Sequence, residues 1–185
     1  MIKDLLKDAE HRMQGAIKNL NDDLGAIRTG RAHPALVERL TVNYYDTPTP
    51  LMQLATISVP ESRSLMIKPF DATVLKDIEK AILSSDLGLT PNSDGKSIHL
   101  NLPPLTEDRR RELVKQVHAR LEEARVSIRN IRRDSHNDMR DFEKEKLISE
   151  DDLKDGEEDL QKLTDKYVEE VNETGKHKEA EIMEV

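Results

Sequence analysis

The sequence predicts an α+β protein: an elongated three-helix bundle carrying a small inserted β/α/β domain. Two observations lead there. Apolar residues recur at helical spacing in residues 1–30 and again from Thr106 to the end, whereas between Arg31 and Leu105 they alternate. All 8 prolines fall between Arg31 and Leu105, Pro34 leading into the block and the others at positions 48, 50, 60, 69, 91, 103 and 104, so long helices are confined to the flanks. Composition agrees. Charged and hydrophobic residues each make up 36%, with only 2 Phe, 3 Tyr, 7 Gly and no Trp, which suits long solvated helices and disfavours a bulky enzyme core or an aromatic-lined pocket. With no cysteine there is no disulfide framework, thiolate nucleophile or Cys-ligated metal. No run of about 18 apolar residues occurs, and Met1-Ile2-Lys3-Asp4 does not open like a signal peptide, so a cytoplasmic protein without a membrane partner is expected.

The first helix is read from Leu5, Leu6, Ala9, Met13, Ala16, Ile17, Leu20, Leu24 and Ile27, which fall on one face. It is expected to end near Thr29-Gly30, with Gly30 in a left-handed closing conformation and Pro34 preventing resumption. Short strands follow at Leu40, Val42 and Tyr44, at Leu54 to Val59, at Leu65 and Ile67, and at Ile98, Leu100 and Leu102. Thr47-Pro48-Thr49-Pro50 reads as a turn, Pro60 and Pro69 as strand stops, and Asp71 as the cap of a short helix carrying Val74, Ile78, Ala81 and Ile82. From Thr106 a long helix runs through Leu113, Val117, Leu121, Ala124, Ile128, Ile131, Ser135, Met139 and Phe142. Ser149 with Asp152 resembles a capping box that starts another, through Leu153, Leu160, Leu163, Tyr167 and Val171.

One amphipathic helix cannot bury its own stripe, so the first helix is expected to pack against the two long ones. Residues 1–30 and 106–185 then form domain I and residues 31–105 the inserted domain II, with hinges near 29–34 and 101–106, at Thr29, Gly30 and Arg31 on one strand and Pro103 and Pro104 on the other.

The net charge of −8 conceals an asymmetry. Residues 106–133 carry 9 basic and 5 acidic side chains, and residues 134–185 carry 8 and 19. Arg111, Lys115, His118, Arg125, Arg129, Arg132, Arg133, His136 and Arg140 share one side of the first long helix, beside its apolar face, with Glu122 the one acid among them. From Arg111 to Arg140 the stripe extends about 43 Å at about 1.5 Å per residue. Guanidinium forks match phosphate oxygens, so a folded RNA backbone fits this face better than a membrane does, and the acidic last helix would fix the orientation of binding. The blander alternative is a solvated face with pairs to Glu112, Glu122 and Asp134.

Catalytic motifs find little support. Gly95-Lys96-Ser97 lacks the spacing to Gly88 that a phosphate loop requires and leads into a strand rather than a helix, so Asp94-Gly95 is better read as a hairpin turn. The 6 His residues show no paired metal-ligand spacing, and no Ser/His/Asp arrangement or isolated acid/base pair stands out. No enzyme activity, metal or cofactor is expected.

Several stretches together resemble the bacterial ribosome recycling factor family: Ile27-Arg28-Thr29-Gly30-Arg31-Ala32 with Pro34, Pro48-Thr49-Pro50-Leu51, Ser85-Asp86-Leu87-Gly88-Leu89, Leu102-Pro103-Pro104-Leu105-Thr106-Glu107, and Ala124-Arg125-Val126 with Ile128 to Asp134. The resemblance implies an L-shaped, two-domain monomer without a catalytic site. It also implies binding to the post-termination ribosome across the A and P sites of the large subunit, with subunit dissociation driven by elongation factor G, which binds the GTP. By the same resemblance Arg132 is the foremost contact to ribosomal RNA, with Arg129, Arg133, Arg31, Arg28, Arg110 and Arg125 in support. Asp46 departs from the Gly usual in the family after Tyr44-Tyr45. A helical scaffold or chaperone for protein clients is the rival function.

Overall fold

The computed structural model describes residues 1–184. Among these residues five α-helices and six strands follow in order: α1 (Ile2–Gly25), α2 (Ala35–Glu38), β1 (Thr41–Tyr44), β2 (Thr47–Pro50), β3 (Ala55–Glu61), β4 (Ser64–Pro69), α3 (Leu75–Ser84), β5 (Pro91–Ser93), β6 (Ile98–Asn101), α4 (Glu107–Lys144) and α5 (Glu150–Met183). Long helices plus a small β domain give the expected α+β class. The described residues divide into two compact units, Met1–Leu24 with Lys115–Glu179, and Gly25–Val114 with residues 180–184.

The first unit is a three-helix bundle. Ala9, Met13, Ala16, Ile17 and Leu20 of α1 are buried, as are Val117, Leu121, Ala124, Ile128, Ile131 and Met139 of α4 and Leu160, Tyr167 and Val171 of α5. On α5 the buried row runs through Thr164, and the expected Leu163 is only partly buried: helical steps from Leu160 to Tyr167 allow either, and 164 continues the four-residue steps of the buried Gly156 and Leu160. The Thr164 hydroxyl donates to the Leu160 carbonyl at 2.8 Å, which satisfies it inside the core. Glycines on that row let the helices close up: a Cβ on Gly156 would lie 3.1 Å from Ile2 and 3.2 Å from Met139. Tyr167 donates to Glu10 at 3.0 Å and accepts from Gln14 at 3.2 Å, tying α5 to α1. The predicted capping box is present. The Asp152 amide donates to the Ser149 hydroxyl and the Ser149 amide to the Asp152 carboxylate, both at 3.0 Å.

In the second unit β1 and β2 form a hairpin, and β3-β4-β6-β5 form an antiparallel sheet in that order. Its core joins Val42, Leu51, Leu65, Ile67, Ile98 and Leu100 to Val74, Leu75, Ile78 and Ile82 on and just before α3. Asp71 caps the turn preceding α3 by accepting from the Thr73 amide at 3.0 Å.

Three local expectations are corrected. Helix α1 stops at Gly25, not near Gly30, and Gly30 has no positive φ; Gly25, where a Cβ would lie 3.3 Å from the Ala35 side chain, is where the chain leaves the helix. Thr47-Pro48-Thr49-Pro50 is a strand rather than a turn. The turn is Tyr45-Asp46, whose φ values of 47° and 62° suit a two-residue hairpin connection, and β2 tolerates its prolines as one of only two strands in its sheet. Pro60 does not end β3. It sits where the register with β4 shifts between Ser58 and Glu61, on an outer strand that can spare its N–H.

Candidate nucleic-acid interface

Helix α4 begins after Thr106, whose hydroxyl accepts from the Arg109 amide at 3.2 Å, and keeps one face in the core. Four of the seven arginines singled out from the sequence, Arg125, Arg129, Arg132 and Arg133, stand on its stretch within the bundle. Arg125 and Arg132 lie one turn beyond the buried Leu121 and Ile128 and are themselves half-buried, so their aliphatic stems can extend the apolar face while their guanidinium heads remain reachable. Arg129 and Arg133, a step further round, are exposed.

Their partners differ. Arg125 is held by Asn172 of α5, with Nε and Nη2 donating to Oδ1 at 3.1 and 2.8 Å. Arg125 and Arg129 also donate to the two carboxylate oxygens of Glu122, each at 3.2 Å. Those hydrogen bonds, Arg125's foremost, hold the Glu122 carboxyl below its ordinary pKa. Among the described residues, no hydrogen bond or ion pair engages Arg132, Arg133 or Arg140. The stripe is therefore neither wholly free nor wholly paired. Its histidines are the less available members: His118 is paired with Glu179 and His136 with Glu157 at 2.7 Å, both carboxylates belonging to α5. On the other flank Asp134 pairs with Arg12 of α1 at 3.2 Å, so carboxylates held by other side chains border the basic face on both sides. Asn172 was not legible as a partner, since nothing in its local sequence distinguishes it from a solvated residue.

The other three arginines belong to the second unit. Arg28 donates through Nη2 to the Pro103 carbonyl, while its Nε is buried without a partner. Burial, and then the nearby charge of Arg109, push its guanidinium pKa down. Arg28 and Arg109 line a cleft of about 400 Å³ together with Asp86, Leu87, Leu105 and Thr106. The Nε of Arg110 is likewise buried and unpaired. Arg31 is exposed and pairs with Glu184 at 3.0 Å. Of the hinge residues, Thr29 and Arg31 are linked locally, the Thr29 hydroxyl accepting from the Arg31 amide and donating to its carbonyl, both at 3.3 Å, and Pro103 supplies the carbonyl that receives Arg28.

Lys96 and Ser97 lie between β5 and β6, where both amides donate to Asp94 and Gly95 takes φ 89°, a hairpin turn and not a phosphate loop. Among the described residues no group of three His, Asp or Glu side chains could hold a metal ion, and no helix is long and apolar enough to cross a membrane.

Comparison with known proteins agrees with this geometry. The model of the ribosome recycling factor family matches residues 20–183. Ribosome-recycling factors of Syntrophomonas wolfei and Roseiflexus castenholzii are each 55% identical over 185 residues, covering all of both chains. A solution structure of a ribosome recycling factor is 45% identical, with a TM-score of 0.75 over 100% of this chain and 98% of that one. A second structure, 42% identical with a TM-score of 0.68 over the whole of both chains, comes from models of the T. thermophilus ribosome recycling factor and the E. coli elongation factor G bound to the E. coli post-termination complex. Matched from end to end, the chain belongs to the ribosome recycling factor family, whose members are non-enzymatic translation factors.

Proposed function

We propose that this chain recycles ribosomes in the cytoplasm as a monomer. It binds the post-termination ribosome across the A and P sites of the large subunit and, with elongation factor G and GTP bound by that partner, promotes subunit dissociation. The observation that carries the reading is the unpaired row Arg132, Arg133 and Arg140 on α4, which leaves guanidinium forks available for phosphate oxygens. Arg129 and Arg125 extend the same face, and Arg28, Arg31 and Arg110 are assigned supporting contacts to ribosomal RNA.

The test is to pellet the protein with ribosomes across a salt series. If about six arginines meet phosphates, log K falls against log salt with a slope of roughly −4 to −5. A slope near zero would favour a helical scaffold for protein clients instead.

The mechanical part of the reading takes residues 1–30 and 106–185 as one domain and 31–105 as the other, flexing at 29–34 and 101–106. Its support is that residues 29–34 and 102–106 form neither helix nor strand: α1 has ended at Gly25 before the first, and the second lies between β6, which ends at Asn101, and α4. Packed helices transmit a displacement that a loose chain would dissipate. A disulfide engineered between the connectors is expected to abolish subunit splitting while ribosome binding persists; splitting that survives the cross-link counts against hinge motion.

A further inference from the structure

Between Arg111 and Arg140, Glu122 is the one carboxylate of α4 that shares the basic side, and it is engaged there. Each of its oxygens takes a hydrogen bond from a different guanidinium, Arg125 Nη1 on one and Arg129 Nη2 on the other, at 3.2 Å. A phosphate with two free oxygens would present the same pair of acceptors to the same donors. We propose that Glu122 is a built-in phosphate surrogate: it occupies Arg125 and Arg129 in the free protein and competes with the RNA backbone for them, which limits affinity and favours release. The inference rests on the RNA-binding role assigned to α4 and adds to it a residue that works against binding.

The geometry separates competition from mere structure. Glu122 is exposed, with about half of its side chain in solvent, and has no contact that secures the core. Arg125 has a second anchor in Asn172, so its position does not depend on the carboxylate. Among the described residues Arg129 has no other hydrogen-bond or ion-pair partner, and Glu122 is the group that an incoming phosphate must displace from it. Exposed ion pairs of this kind are individually weak, so docking can break them. A carboxylate left within a few ångströms of a bound phosphate then repels it across a Debye length of about 8 Å at physiological salt. A factor that has to leave after each round gains from such a limit, because affinity differences between related complexes reside mostly in the off-rate.

Glu123 supplies the control. It carries the same charge one position along, pairs with Arg120 at 3.0 Å, and lies away from the stripe. Full-length protein with Glu122→Gln, with Glu123→Gln, and unaltered would be pelleted with ribosomes across a salt series, with melting temperatures recorded. Glu122→Gln is expected to tighten binding by about two- to fivefold, the scale of one exposed pair, to slow release, and to steepen the salt slope, while Glu123→Gln changes binding less than twofold. Equal tightening by both variants would reduce the effect to net charge and overturn the proposal, as would unchanged or weaker binding by Glu122→Gln. If the unaltered protein responds to salt but Glu122→Gln does not differ from it, this inference alone fails; if the unaltered protein ignores salt, the RNA-binding reading fails and the inference with it.

Discussion

Gly175 of α5 faces Leu121 of α4 so closely that a Cβ added to the glycine would run into the leucine's isopropyl end, and Leu121 is only 4% exposed. Two opposed effects decide what a methyl group does there. Alanine in place of glycine gains up to about 1 kcal/mol of helix propensity, whereas overpacking a closed core costs about 1–3 kcal/mol. With Leu121 enclosed, packing wins: Gly175→Ala is expected to lower stability by about 1–2 kcal/mol, read as a lower urea midpoint. Gly156→Ala should be within about 0.5 kcal/mol of neutral, because its closest neighbours include the flexible Met139 thioether and the propensity gain offsets the squeeze.

Arg132 and Arg125 should separate binding from folding. Among the described residues no hydrogen bond or ion pair engages Arg132, so Arg132→Ala is expected to weaken ribosome binding by about 1–3 kcal/mol with little change in melting temperature. Arg125→Ala removes both hydrogen bonds to Asn172 and should lower the melting temperature as well. A steep loss of thermal stability in Arg132→Ala would instead make it a structural residue.

The residues that were legible from sequence are those whose roles are local. The Ser149–Asp152 box, the Asp71 cap and the buried rows of α1 and α4 follow from spacing along one chain segment, and the structure has them where the spacing puts them. The misreadings share a different cause. Gly30 is the stronger stop signal in isolation, but the helix ends at Gly25, where a neighbouring side chain comes close; Pro48, Pro50 and Pro60 predict breaks, but edge positions and a register shift remove the need for their missing N–H. At the interface the sequence supplied the basic row on α4 but not its state of pairing. Whether an arginine is free or held by Asn172 or Pro103 depends on residues 47 and 75 positions away, which no periodicity encodes.

Acid should expose the turn between β5 and β6. Asp94 Oδ1 accepts from the Lys96 and Ser97 amides at 2.9 and 2.8 Å, and these backbone hydrogen bonds, with His99 after them, lower its pKa from 3.8 to about 2. A pKa depressed in the folded state means stabilisation that is fully present above the unfolded value and disappears as pH falls through the folded one. The stability gap between the unaltered protein and Asp94→Asn is therefore expected to be constant above about pH 5 and to shrink between about pH 4 and pH 2, measured by urea denaturation at each pH. A gap that persisted at pH 2 would show that the carboxylate's charge is not what stabilises the turn.

The β1–β2 hairpin turns on two non-glycine residues with positive φ, Tyr45 at 47° and Asp46 at 62°. Register pairs Tyr44 with Thr47, so the loop has two residues, and two-residue connections of this kind favour Asn or Asp first and Gly second. Here the acid occupies the second position and a tyrosine the first. Asp tolerates the left-handed region better than most side chains but less well than glycine, which has no Cβ to strain. Glycine also gives the unfolded chain more freedom, which removes part of the gain. The Cβ strain is the larger effect in a left-handed turn, so Asp46→Gly is expected to raise stability by about 0.5–1 kcal/mol. Asp46→Val, β-branched at the same φ, should lower it by about 1–2 kcal/mol. Neither change touches α4, so ribosome binding through its arginines should be unaltered in both variants. Equal urea midpoints for the two would mean that the turn does not hold this conformation in solution.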